Sequence, residues 1–234
     1  MPGPAKCPGR PQKKAAAWGR DCNSNRTTIP TSDILRMNES PIRVHSVAEA
    51  FLCVMVRPCR VCGKGPLSAV GDIKRVGESV CSWQLDAQCK ACRAPESLQF
   101  NIDPVPSRQG AESSVINSTP HRSEAIDLLG WLTLYRTIVA TVKSAANPAE
   151  ARKLASEAAQ CLDEALKFYT MENELPPEDA FFSDESRRRF ADHPDQFART
   201  RWREERLKLP AGGAIPASTP TQKRRSWWPW RRSS

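Results

Sequence analysis

The sequence predicts an α+β fold, in which a small β-sheet precedes an α-helical hairpin region and basic, disordered tails lie at both ends. Three observations predict this organisation. Apolar residues alternate with a period of two near residues 81–102, close to two short-spaced pairs of cysteines. Apolar residues then recur with helical spacing between residues 124 and 207. Both ends are rich in Pro, Gly, Ser and basic residues and show neither period, which is typical of disorder.

The positive charge of the chain is concentrated in its ends. Residues 1–36 and residues 210–234 each carry a net charge of +5, against +9 for all 234 residues, so the body is close to neutral. A body of this size can hold one ordinary domain or two small ones. We predict five regions: a disordered basic segment at 1–40, a β-module with a preceding short helix at 44–104, a linker at 105–120, an α-helical region at 121–209, and a disordered basic Trp-rich tail at 210–234.

A short apolar helix is predicted to open the β-module, from Val47 to about Val56. The run Ser46-Val-Ala-Glu49 has the form of a capping box, with a hydroxyl at the N-cap and a carboxylate three residues later. Pro58 ends the helix directly before the first cysteine pair.

Two strands are predicted around the second cysteine pair. From Ser79 to Gln88, apolar and polar residues alternate, which indicates a half-buried strand with Cys81, Trp83, Leu85 and Ala87 on one face. After that pair, Leu98, Phe100 and Ile102 repeat the period of two, and Pro104 and Pro106 end the module.

The second half of the chain is predicted to be helical. One apolar stripe runs from Glu124 to Ala145, and Asn147-Pro148-Ala-Glu150 then gives a strong helix start for a second helix that reaches about Tyr169. A two- or three-residue turn between them predicts an antiparallel hairpin. Two shorter helices are expected near 183–191 and 194–207. The carboxylates of the second helix, Glu157, Asp163 and Glu164, are interpreted as an ordinary solvated face.

Two cysteine pairs, Cys59-Arg-Val-Cys62 and Cys89-Lys-Ala-Cys92, predict a structural zinc site. Two residues between thiolates allow one tight turn to present both sulfurs to one metal ion, and two such turns complete a four-sulfur tetrahedron. Redox chemistry is disfavoured because neither pair precedes a helix in a βαβ pattern. The cysteines predicted on apolar faces are interpreted as small buried hydrophobes, with Cys81 the one remaining candidate ligand: Cys53, Cys81 and Cys161.

The layout of residues 58–102 resembles the zinc-ribbon fold group: a cysteine knuckle, a β-hairpin, a second knuckle and a last strand. The resemblance implies a structural Zn²⁺ ion, which a unit of this size needs because its own core is small. The second knuckle departs from the usual pattern, with Arg93 where glycine is common. The longer stretch from Val44 to Ser183 resembles an uncharacterised bacterial group in which a ribbon precedes a short helical region, and this resemblance implies no activity.

The C-terminal tail combines three tryptophans with five cations. Its Trp-Trp-Pro-Trp-Arg-Arg run resembles the core of the cathelicidin-type peptide indolicidin, which implies contact with membranes or nucleic acids. Indoles prefer the lipid–water interface and arginines attract anionic head groups, while the same residues can stack on unpaired bases. A solvated tail or one that binds a protein is the alternative. The candidate contact residues are Lys223, Arg224, Arg225, Trp227, Trp228, Trp230, Arg231 and Arg232.

The function that we predict is that of a non-enzymatic zinc-binding adaptor in the cytoplasm, with an unidentified protein as its partner and no small-molecule substrate. The sequence shows no Ser-His-Asp order, no phosphate-binding loop and no paired carboxylates in an apolar setting. Peripheral association with anionic membranes through the tail is one alternative. Another is a nucleic-acid-binding regulator that uses the tails and the basic residues of the ribbon, which are Arg57, Arg60, Lys64, Lys74, Arg75, Lys90 and Arg93.

Overall fold

A five-stranded mixed sheet and five α-helices make up the described part of this computed structural model, which covers residues 40–77, 81–102, 115–170 and 173–210. The predicted α+β class is confirmed. Nearly all of both predicted tails, residues 1–39 and 211–234, lies outside the described residues.

The five strands are β1 Ile42–Val44, β2 Leu67–Ala69, β3 Lys74–Arg75, β4 Ser82–Cys89 and β5 Pro95–Ile102. Their order in the sheet is β1-β5-β4-β2, with β3 also paired to β4. Strand β1 runs parallel to β5, and the other pairs are antiparallel. The two predicted strands are present as β4 and β5. Leu85, Ala87, Leu98, Phe100 and Ile102 are buried as predicted, whereas Cys81 and Trp83 of the predicted inward face are half-buried.

Helix α1 (Val47–Val56) joins the sheet to the helical region and is buried on several sides, because it packs against both β2 and the following helix. Its N-cap is Ser46, whose hydroxyl accepts the Glu49 N–H. The Glu49 carboxylate reaches one residue beyond the cap and accepts the N–H of His45 at 2.6 Å. Ser46 and Glu49 are therefore the capping residues, as predicted. Glu49, however, accepts the N–H of His45 instead of the N–H of Ser46 that a capping box would use.

Helices α2 (Leu128–Val142) and α3 (Pro148–Leu166) form the predicted hairpin. Helix α2 begins four residues later than predicted because Asp127 is its N-cap, and the Asp127 carboxylate accepts the N–H of Gly130 at 2.8 Å. Asn147 caps α3 as predicted, accepting the N–H of Glu150.

Helices α4 (Asp184–Asp192) and α5 (Arg199–Leu207) complete the fold and are preceded by short 3₁₀ turns at Glu178–Ala180 and Pro194–Phe197. The turn at 194–197 explains why α5 begins five residues after the predicted start. No helix within these described ranges combines the length and the apolar character needed to cross a bilayer.

Residues at the end of the predicted linker are packed between helices. The N–H of Ile116 donates to the Gln160 side chain of α3 at 2.9 Å, and the Ser46 hydroxyl donates to the Ile116 carbonyl. Ile116 and Asn117 are both buried. This segment thus ties the N-terminus of α1 to α3.

Two carboxylates are buried where α1, α3 and this segment meet, contrary to the expectation that no paired carboxylates share an apolar setting. Glu49 and Glu164 are 0% and 3% exposed, and burial raises the pKa of each above its usual range. Glu164 accepts hydrogen bonds from Asn117 at 3.1 Å and from the Lys167 ammonium at 2.7 Å. The interpretation of Glu164 as part of a solvated face is therefore wrong.

Glu157 of α3 is the second carboxylate that departs from the solvated-face interpretation. Burial raises its pKa from 4.5 to about 7, against the opposing charge of Lys153. The folded protein therefore holds this proton more tightly than the unfolded chain, and stability falls as the pH rises from 4.5 to about 7. We expect Glu157→Gln to raise the free energy of unfolding by roughly 2 kcal/mol at pH 8 and by nothing near pH 4.

Urea unfolding at both pH values measures this effect, with the exposed Glu204→Gln as the control variant. An equal gain at pH 4 and pH 8 would show that ionisation of Glu157 is not the cause.

Candidate metal centre

The first cysteine pair forms a knuckle between α1 and β2. The N–H of Val61 donates to the Cys59 sulfur at 3.4 Å, and the N–H of Gly63 donates to the Cys59 carbonyl at 2.8 Å. Gly63 has φ of +67°, which glycine adopts without strain. Gly65 is needed for a different reason, because a Cβ there would lie 2.7 Å from the Cys59 nitrogen.

The second pair repeats the same geometry between β4 and β5. The N–H of Ala91 donates to the Cys89 sulfur at 3.3 Å, and the N–H of Arg93 donates to the Cys89 carbonyl at 3.0 Å. Arg93 has φ of +64°, close to the value at Gly63. The departure from glycine therefore leaves the turn unchanged, and Arg93 bears the strain of a left-handed backbone.

The sheet brings the two knuckles together through its register. Leu67 pairs with Cys89 at the start of β2, and the N–H of Lys90 donates to the Pro66 carbonyl at 3.1 Å. An ion pair of 3.0 Å joins Arg60 of the first knuckle to Glu96 of β5. These contacts hold the two knuckles side by side.

The four sulfurs all lie within 4.8 Å of one another. The Cys59 and Cys92 sulfurs are 3.7 Å apart, and those of Cys62 and Cys89 are 3.6 Å apart. A tetrahedral ion with metal–sulfur bonds of about 2.3 Å holds its sulfurs about 3.8 Å apart. The structure therefore brings together all four predicted ligands at a spacing compatible with one metal ion.

The electrostatics of the cluster also suit a cation. The N–H groups of Cys92 and Ala91 outweigh burial and lower the pKa of Cys89 to about 6. At Cys92, the N–H of Ala94 lowers the pKa, but burial and the other sulfurs dominate and raise it to about 12. Neighbouring thiolates repel one another, so a divalent cation between the four sulfurs would stabilise their ionised form.

The backbone strain at Arg93 leads to a stability prediction. Arg93→Gly should raise the free energy of unfolding by about 0.5–1 kcal/mol, because the left-handed conformation costs a non-glycine residue roughly 1–2 kcal/mol and part of the gain is lost to unfolded-chain entropy. The equivalent change at the first knuckle, Gly63→Ala, should lower it by about 1 kcal/mol, since the added Cβ meets no atom within 4 Å and only backbone strain is introduced.

Chemical denaturation of the metal-loaded protein measures both changes. If Arg93→Gly lowered the free energy of unfolding, the Arg93 side chain would stabilise the folded protein by more than its left-handed backbone destabilises it.

The other candidate residues lie away from the centre or outside the described chain. Cys81 is half-buried and does not belong to the four-sulfur group, and Cys53 and Cys161 are buried as predicted.

Among the basic ribbon residues, Lys74 lies 3.9 Å from the Asp86 carboxylate and the Arg75 guanidinium lies 5.1 Å from the centre of the Trp83 ring. The predicted contact residues of the tail, Lys223 to Arg232, lie outside the described residues.

The chain was compared with protein-family models, with curated proteins and with solved structures. None of the three comparisons finds a significant match. The resemblances to the zinc-ribbon fold group and to a bacterial ribbon-plus-helix group stay predictions, and the four-sulfur geometry stands as the finding.

Proposed function

We propose that Cys59, Cys62, Cys89 and Cys92 bind one structural Zn²⁺ ion, and that the zinc-stabilised sheet acts as a non-enzymatic platform for another protein. The observation that carries the proposal is the convergence of the four sulfurs within 4.8 Å. Four thiolates fill the coordination sphere of zinc and leave no open position for substrate. A structural role is therefore favoured over a catalytic one.

The surface that we propose for the partner is formed by the two knuckle tips. Val61 and Ala91 occupy equivalent positions, immediately before the second cysteine of each pair, and both are exposed. Val61 is 63% exposed, which is high for a large apolar side chain. Exposed Lys90 adds a positive charge beside the second tip, while Arg60 beside the first tip is ion-paired with Glu96. The surface therefore fits an apolar protein segment with an acidic neighbour on the Lys90 side.

Site-specific photocrosslinking tests the platform. A photoreactive amino acid at Val61 should give a defined crosslinked partner, and the Cys62→Ser variant should lose that product because the tip is no longer held. The matched control is Val70, a second exposed valine (54%) between β2 and β3. Equal products from positions 61 and 70, or products that persist without zinc, would contradict the proposed surface.

The nucleic-acid alternative depends on basic residues of the ribbon and the tail. Arg60 and Lys74 lie beside Glu96 and Asp86, which reduces the charge that they offer to phosphate. Lys64, Lys90 and Arg93 are exposed on or beside the knuckles and keep the alternative open. Salt-dependent binding of a single-stranded oligonucleotide that Lys64→Gln and Arg93→Gln weaken would favour it over the protein platform, and loss of binding only on deletion of residues 221–234 would assign it to the tail.

A further inference from the structure

The four cysteines of the candidate metal centre differ in their exposure to solvent. Cys59 and Cys89, the first cysteines of the two knuckles, are 2% and 0% exposed. Of the second cysteines, Cys62 is half-buried and Cys92 is exposed. All of residues 90–93 are exposed, so Cys92 lies on an open loop tip. A small reagent in solution therefore meets Cys92 before the other three cysteines.

The sulfurs also form two contacts between the knuckles, and these contacts pair all four cysteines. The sulfurs of Cys59 and Cys92 are 3.7 Å apart, although the residues are separated by 33 positions in the chain. The sulfurs of Cys62 and Cys89 are 3.6 Å apart across 27 positions. A disulfide bond holds its sulfurs at about 2.05 Å, so each pair has to close by about 1.6 Å.

The sheet favours bonds between the knuckles over bonds within them. The pairing of Leu67 with Cys89 and the ion pair of Arg60 with Glu96 already hold the knuckles side by side. A disulfide between the knuckles keeps this arrangement, whereas a disulfide within one Cys-x-x-Cys pair adds nothing that joins them. A bridge across 27 or 33 positions also restricts the unfolded chain more than one that closes a four-residue loop.

We propose that hydrogen peroxide oxidises the zinc-loaded centre first at Cys92, and that two disulfides between the knuckles then take the place of the metal. The two disulfides are Cys59–Cys92 and Cys62–Cys89. This inference rests on the proposed function, because metal binding is what holds the four sulfurs as thiolates, the form that reacts with peroxide. It adds a form of the protein that is free of zinc and still folded.

The chemistry takes two steps for each disulfide. The Cys92 thiolate attacks one oxygen of hydrogen peroxide, the O–O bond breaks, and the products are the Cys92 sulfenic acid and hydroxide. The Cys59 thiolate then attacks the Cys92 sulfur, forming the S–S bond and releasing a second hydroxide. One peroxide thus takes two electrons from two thiolates. The centre then keeps two of its four ligands and no longer holds zinc, and a second peroxide joins Cys62 to Cys89 in the same way.

Sulfenic-acid trapping tests the first step. The full-length chain, shown by elemental analysis to carry one zinc ion, is treated briefly with hydrogen peroxide in the presence of dimedone, which labels sulfenic acids. Mass spectrometry should find Cys92 labelled at least about fivefold more than Cys59 or Cys89, in line with their exposure. Equal labelling of the three, or preferential labelling of a buried cysteine, overturns the assignment of Cys92.

Disulfide mapping after complete oxidation tests the second step. We expect the Cys59–Cys92 and Cys62–Cys89 peptides, loss of the zinc ion and retention of the dispersed amide signals of β4 and β5. The matched control is the reduced chain treated with a chelator, which should lose both the zinc and these signals. Cys81→Ser should behave as the unsubstituted chain, since Cys81 lies outside the four-sulfur group.

The outcomes separate this inference from the function on which it rests. Disulfides within each Cys-x-x-Cys pair, or loss of the β4 and β5 signals on oxidation, overturn the inference and leave the zinc site in place. A purified chain that binds no zinc overturns both.

Discussion

Cys89→Ser should abolish zinc binding and unfold the β-sheet. Cys89 is fully buried at the end of β4, where it pairs with Leu67 of β2 and its sulfur accepts the N–H groups of Ala91 and Cys92. A structural zinc ion supplies roughly 10–16 kcal/mol of apparent binding free energy, comparable to the whole stability of a typical domain. We therefore expect loss of bound zinc by elemental analysis and loss of dispersed amide signals from β2, β4 and β5.

The control for this substitution is Cys81→Ser. Cys81 directly precedes β4 but lies outside the four-sulfur group. This variant should keep one zinc ion per chain and lose no more than about 1–2 kcal/mol of stability. A Cys89→Ser protein that retains stoichiometric zinc, or a Cys81→Ser protein that loses it, would contradict the assignment of ligands.

Phe181→Ala should lower the free energy of unfolding by about 3–5 kcal/mol, because it removes the centre of an aromatic cluster. The Phe181 ring is 2% exposed, stacks on Phe190 at 4.7 Å and meets the edge of Phe197 at 5.3 Å. These three rings hold the start and end of α4 and the following turn together. Urea denaturation measures the loss directly.

The adjacent Phe182→Ala is the matched control, since it makes the same change one residue along the chain. Phe182 is 42% exposed, and its nearest ring, Phe168, lies at 6.2 Å in a tilted arrangement. We expect it to cost no more than about 1 kcal/mol. Equal losses for the two variants would show that the 181–197 cluster is not a core element.

The parts of the fold that could be predicted are those encoded within a few residues of sequence. The caps at Ser46 and Asn147 and the alternation through β4 and β5 depend on neighbours in the chain. Strand β1 was missed because three residues show no period and its partner is β5, almost 60 positions away. The burial of Glu164 was missed for the same reason, because Asn117, which donates to its carboxylate, lies 47 positions away in the chain.

The candidate metal centre was more predictable than the contacts between helices. Each cysteine knuckle is a local motif, so its spacing alone indicates how two sulfurs can face one ion. The left-handed backbone at Arg93 could not be predicted from its residue type, because arginine disfavours that conformation. Arg136 and Arg201, for example, belong to different helices, and only the packing around Trp202 shows that both side chains meet one ring.

X-ray absorption spectroscopy at the zinc edge, on the purified full-length chain after elemental analysis, tests the central claim most directly. We predict one zinc ion per chain, coordinated by four sulfurs at about 2.3 Å and by no lighter atom. An open or mixed site with nitrogen or oxygen ligands would contradict a closed structural centre. Iron in place of zinc in the same tetrahedral sulfur site would contradict the choice of metal and indicate a redox role.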